Sequence, residues 1–181
     1  FRLVITYMLI CNTLTTKYEV SNPAQDPLFF SVGGHPAYNC PPSIAKNRSD
    51  FTFLFNKAEN TNIQYLTDGV FAGKQRAFTG QKIHVANDLF DDDALVFENL
   101  NSDHISLVDI NESPVLTFSF VGFPYLGLWS KSRTSPFICI EPWFGLADIH
   151  DHDKDITTKK GIMKLKKNGH FECEFGVTIH Y

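Results

Sequence analysis

Residues Pro136–Asp148 read PFICIEPWFGLAD, and the alternation inside this stretch decides what kind of fold the chain can have. Phe137 to Ile140 is an apolar run behind Pro136, and Glu141 stands directly before Pro142. A residue before proline is driven into the extended region, so Glu141 is expected at the last extended position of a strand that Pro142 stops. Side chains alternate along a strand, so Phe137, Cys139 and Glu141 share one face and Ile138 and Ile140 share the other. Both faces are apolar, which predicts a strand covered on both sides. A carboxylate at the end of such a strand must be paired, hydrogen-bonded or used, because burying it bare is costly. The simpler reading of Glu141 taken alone is a strand-end group that pairs with a lysine or caps amides. Trp143 returns to the face of Glu141 and adds a second possibility. An aromatic plate beside a carboxylate suits a sugar, which has hydroxyls at its edges and apolar C–H faces.

The same two-residue period recurs outward from this strand. TLTTKYEV (13–20) and VLTFSFV (115–121) alternate, as does the final run FECEFGVTIHY (171–181). Residues 2 to 10 and 13 to 20 read as two strands joined at Cys11-Asn12. FTFLF (51–55) and IQYL (63–66) are two further strands, followed by a segment punctuated by Gly69, Gly73 and Gly80. KIHVA, ALVFE, HISLVDI, YLGLWS and GIMKL complete the set, and no amphipathic helix is evident. Many short strands with regular turns predict an all-β sandwich or barrel, in a single domain over 1–181.

The chain has 181 residues, is 43% hydrophobic and carries seventeen Phe, enough for one sizeable core. A net charge of −4 without a basic stripe argues against a nucleic-acid partner. No apolar run is long enough to span a bilayer as a helix, so no membrane partner is expected. Cys11, Cys40, Cys139 and Cys173 are far apart in sequence. They are expected to be reduced, which points to the cytoplasm. Phe1 falls inside an apparent strand, so the chain is expected to be a fragment or to lack its N-terminal strands.

The second unusual stretch is SVGGHPAYNCPP, Ser31 to Pro42. Gly33 and Gly34 remove side chains where another group must come close. Pro36 holds His35 extended and ends strand pairing, so the imidazole is fixed at a strand terminus with Tyr38 and Asn39 just beyond. Histidine moves its proton near neutral pH and can act as general acid or base. A lone loop histidine is as readily structural, but beside a strand-end glutamate the acid–base reading gains ground.

GGHPAYN, then LGLWS and FICIEPWFGLAD, resemble the aldose 1-epimerase (galactose mutarotase-like) family, and within it the LacX-type branch. The similarity extends over essentially the whole chain. It implies an antiparallel β-supersandwich with an open sugar cleft and interconversion of the α and β anomers of a hexose or hexose phosphate. Glu141 matches the family's general base and His35 its general acid, and no cofactor or metal is implied. LFDDDALVF resembles the segment carrying a sugar-binding aspartate, which points to Asp93, although a solvated acidic turn of Asp91, Asp92 and Asp93 explains it as well. Tyr38, Asn39 and Trp143 are the further candidates for substrate contact, and Lys131 with Arg133 is a candidate for a phosphate.

One departure stands out. The family carries an arginine and a histidine on earlier strands, whereas Arg2 is the only basic residue ahead of Lys17. An inactive shortened relative is therefore an alternative, and uncovered sheet edges would favour a homo-oligomer. A non-catalytic carbohydrate-binding sandwich is another, and a purely structural β-protein a third. The histidines of HDHD (150–153) read as a solvated turn, not a metal site.

Overall fold

The computed structural model describes residues 1–42 and 47–180. Tyr181, the end of the last alternating run, lies outside them. The strands are β1 (Arg2–Ile10), β2 (Thr13–Ser21), β3 (Leu28–Phe30), β4 (Val32–Gly33), β5 (Ala37–Asn39), β6 (Thr52–Thr67) and β7 (Val70–His84). They continue with β8 (Leu95–Glu98), β9 (His104–Val108), β10 (Pro114–Ser119), β11 (Tyr125–Trp129), β12 (Phe137–Phe144), β13 (Met163–Leu165) and β14 (His170–Ile179). The helical content among the described residues is one 3₁₀ turn, Arg48–Asp50, and no helix there is long and apolar enough to cross a membrane.

Twelve strands form one sheet, in the order β1-β2-β14-β10-β9-β6-β8-β11-β12-β4, with β5 also on β12 and β7 on β6. Its pairings are antiparallel; β3 and β13 form a separate two-stranded ribbon. The core lies on one face of the sheet, and the register shows why. Phe53 pairs with Leu107, Phe118 with Ile105, Leu126 with Phe97, and Leu128 with both Leu95 and Ile140. Cross-strand partners share a face, and all of these side chains are fully buried. The opposite face of β8, β11 and β12 carries Val96, Gly127, Glu141 and Trp143, and the site is built there.

Two sequence expectations are corrected. The segments expected as strands at 51–55 and 63–66 are not separate: from Thr52 on, both belong to the sixteen-residue β6, which continues into β7 as one long hairpin. The polar run between them stays extended because a register shift between Leu54 and Glu59 absorbs the irregularity. Asp68 and Gly69 both have positive φ (51° and 81°), the conformation of a tight type I′ hairpin turn. The second correction concerns Pro142, which does not stop its strand; β12 runs through it to Phe144. The Pro142 carbonyl accepts from Gly34 N at 3.0 Å. A strand residue's nitrogen and carbonyl point to the same side, so the nitrogen faces the break between β4 and β5, where no ladder donor is required.

β1 pairs with β2 and, among the described residues, with nothing on its other edge. Leu3, Ile5, Tyr7, Met8, Leu9 and Ile10 on it are all exposed.

Candidate active site

Three neighbouring strands bring the site together. β4 ends at Gly33, where the chain pairs with Trp143, and β5 begins at Ala37, where it pairs with Cys139. The intervening Gly34-His35-Pro36 segment is the break in the ladder, and it carries the imidazole over the middle of β12. His35 Nδ1 lies 3.5 Å from Glu141 Oε1. The pair is in contact, not separated by the width of a sugar ring. His35 is 61% exposed and Glu141 only 5%, so the imidazole has room to turn aside while the carboxylate does not. The Trp129 ring meets His35 edge to face, with centroids 5.7 Å apart.

The glycines explain why these groups fit. A Cβ on Gly33 would lie 2.6 Å from Trp143 Cδ1, and one on Gly127 would lie 2.5 Å from Trp143 Cη2. The indole therefore lies across both flanking strands, in space that any other residue would fill. A Cβ on Gly34 would strike the Phe175 ring at 2.8 Å. Above this floor is an open cleft of about 440 Å³ lined by Ser31, Gly34, His35, Glu141, Trp143 and Leu146. That volume falls in the range of small-molecule sites.

The Glu141 carboxyl is pushed up to about 8. Burial is the main cause, the nearby charge of Asp93 adds to it, and the Trp143 indole N–H pulls the other way. A carboxyl poised near neutral pH has the basicity that proton abstraction needs. Asp93 sits in the left-handed region (φ 73°), and its own Oδ1 accepts from Ala94 N at 2.8 Å. Of the acidic turn, Asp91 is bound by Arg133 and Asp92 by Lys74 at 2.6 Å, which leaves Asp93 as the member acting on Glu141. Arg133 is thus committed to Asp91.

The structure brings His35, Glu141 and Trp143 together at the cleft, whereas Asp93 does not line it and reaches Glu141 only through its charge. The structure does not bring in Tyr38, which pairs with Ile138 and packs on the opposite, core-facing side against Phe118 (6.2 Å). Asn39 pairs with Phe137 at the far end of β12 and does not line the cleft. Gly127 was missed by the sequence reading; the signal for it was a glycine inside the otherwise bulky LGLWS. Beneath the pair lies the Cys139 thiol, pushed up to about 12 by burial and by the Glu141 charge. One ligand atom each from His35, Cys139 and Glu141 lie within 4.8 Å of one another, whereas the histidines of HDHD gather no such trio among the described residues.

No protein-family model matches the chain. Over 185 residues it is 28% identical to the chromosomal LacX protein of Lactococcus lactis subsp. lactis, covering 99% of this chain and 62% of that one. The plasmid LacX protein is 27% identical over the same length. A galactose mutarotase related enzyme from Lactobacillus acidophilus superposes with a TM-score of 0.91 at 30% identity, over 99% of this chain and 61% of that one. A galactose mutarotase-like protein from Lactobacillus casei superposes with a TM-score of 0.85 at 24% identity, over 98% and 63%. The chain thus spans about three fifths of the length of these relatives. In sequence the chain resembles the LacX proteins, and in fold the galactose mutarotase-like proteins.

Proposed function

We propose that this chain catalyses interconversion of the α and β anomers of a free hexose, with Glu141 as general base and His35 as general acid. The observation that carries the reading is a buried carboxylate of raised basicity in contact with an exposed imidazole at a sugar-sized cleft. Ionised Glu141 takes the proton from the C1 hydroxyl, and protonated His35 delivers one to the ring oxygen as the C1–O5 bond breaks. Rotation about C1–C2 and reclosure from the other face invert the anomeric centre, and the two protons return by the reverse steps. A ring can enter between the two groups once His35 turns outward, as its exposure allows. Trp143 offers an apolar plate beside the carboxylate, and Asp93 keeps that carboxylate basic.

Among the described residues lining the cleft none is Lys or Arg, which favours a neutral sugar over a hexose phosphate. The four cysteines are unpaired, in keeping with a reducing, cytoplasmic setting. NMR exchange spectroscopy on free and phosphorylated aldoses tests the reading. Anomer exchange is expected to fall about 10²–10⁴-fold in Glu141→Gln while sugar binding persists. Binding without exchange in the unaltered protein would instead identify a carbohydrate-binding sandwich.

A further inference from the structure

The Cys139 side chain has no part in moving protons on a sugar, yet it lies directly beneath the pair that does. Cys139 and Glu141 stand two residues apart on β12 and project from the same face, and His35 reaches over them from the break between β4 and β5. Sulfur, carboxylate oxygen and imidazole nitrogen are all within 4.8 Å of one another, and the nitrogen–oxygen pair is at 3.5 Å. Ligand bonds of about 2.0–2.3 Å around tetrahedral zinc place neighbouring donor atoms roughly 3.2–3.8 Å apart. Side-chain adjustment of about an ångström therefore closes the trio around such an ion. The adjustment falls to His35, the exposed member, since Cys139 and Glu141 are both buried and fixed by packing. A mixed sulfur, nitrogen and oxygen set matches zinc, whereas calcium and magnesium take oxygen ligands. Three protein ligands leave a fourth position open toward the cleft.

We propose that Cys139, His35 and Glu141 form a zinc-binding site at the base of the cleft. On binding, the Cys139 S–H proton passes to solvent as the zinc–sulfur bond forms. Glu141 binds as the carboxylate and His35 through an unprotonated nitrogen, and nothing is oxidised or reduced. With both groups held as ligands neither can transfer a proton, so zinc occupancy silences the site. That consequence rests on the anomer-exchange reading, whereas the metal site itself does not. The other trio of the described residues, Glu19, His170 and Glu172, is a poorer competitor: it is solvent-facing, and the Lys17 ammonium already sits 3.0 Å from Glu172.

The test is titration of the full chain with Zn²⁺ by calorimetry, and with Co²⁺ as a spectroscopic probe. The expected result is one zinc per chain, release of protons, and a near-ultraviolet thiolate-to-cobalt charge-transfer band. Cys139→Ala should abolish the band and weaken zinc at least about 10-fold, and Cys173→Ser should keep it. His35→Asn, at an exposed position where folding is not at stake, should also weaken zinc, while Glu172→Gln should not. Absence of a one-to-one zinc isotherm, a band that survives Cys139→Ala, or affinity that follows Glu172 in place of His35 would overturn the proposal. A metal-free chain that fails to exchange anomers would sink the catalytic reading and leave these binding results standing.

Discussion

Glu141→Gln separates the cost of the buried base from its use. The Glu141 carboxyl lies at about 8 in the folded chain against an ordinary 4.5. Between those values the folded state keeps a proton that the unfolded chain has released, so stability falls as pH rises across the interval. The slope is about 1.4 kcal/mol per pH unit, accumulating to about 5 kcal/mol by pH 8. Against a total stability of about 5–15 kcal/mol for a typical domain, that is a large share. The glutamine amide of the variant is nearly isosteric with a protonated glutamic acid and does not titrate, so near pH 4.5 the two proteins should be about equally stable. Urea unfolding of both at half-unit steps from pH 4.5 to 9 isolates the effect, since every other titrating group is common to both. The variant should become progressively the more stable one, while the anomer exchange of the unaltered protein rises with pH as Glu141 ionises, until His35 no longer holds the proton that it must deliver. Parallel stability curves would show that Glu141 ionises as an ordinary surface acid, and the argument for it as a poised base would fail with them.

Four other outcomes follow from the same geometry. Asp93→Asn removes the charge that raises Glu141 but keeps a residue tolerant of the left-handed conformation, so the rise of exchange with pH should move to lower pH in a pH–rate profile. Gly127→Ala places a methyl group 2.5 Å from Trp143; it should cost about 1–3 kcal/mol in chemical denaturation and shift the tryptophan fluorescence, with weaker sugar binding. Glu59→Ala, at a buried carboxylate that accepts from Asn101 N (2.9 Å) and Ser102 N (2.8 Å), should cost about 1–3 kcal/mol in urea unfolding. If copies of the chain associate through the exposed apolar edge of β1, Leu9→Lys should reduce the concentration-dependent mass seen by light scattering.

What the sequence reveals depends on the range of the interaction concerned. The alternation in FICIE is local, and it correctly separates Ile138 and Ile140 on the core side from Cys139 and Glu141 on the other. The prolines and glycines around His35 are likewise local signals, and they locate the break that throws the imidazole outward. Tyr38 fails for a different reason. Proximity to His35 in sequence says nothing about which face it takes, and that face is set by the register of Ala37–Asn39 on Phe137–Cys139, a pairing of segments a hundred residues apart. The β6–β7 hairpin was partly readable, since Asp68-Gly69 is a recognised type I′ pair. The polar run from Asn56 to Asn62 concealed it, because its residues, the buried Glu59 included, are polar or small and carry no apolar alternation. A proline such as Pro142 interrupts a continuous ladder, and β12 lacks that ladder at the one place where the proline sits.

The placement of Glu141 also accounts for why the base stands on β12 and not on an outer strand. Raising a carboxyl to about 8 requires withdrawing it from water, and a strand that does so loses stability whenever the group ionises. An edge strand such as β1, exposed on both faces, could neither exclude the water nor bear the loss. β12 does both. Its core face holds Ile138 and Ile140 at full burial, and Leu128 beside them, each contributing roughly 1.5–3 kcal/mol. Those contributions are of the size needed to offset the roughly 5 kcal/mol that an ionised Glu141 withdraws. The face that reacts is therefore held in place by the face that packs, and truncating Ile140 to Ala should lower stability and disturb the Glu141–His35 contact together.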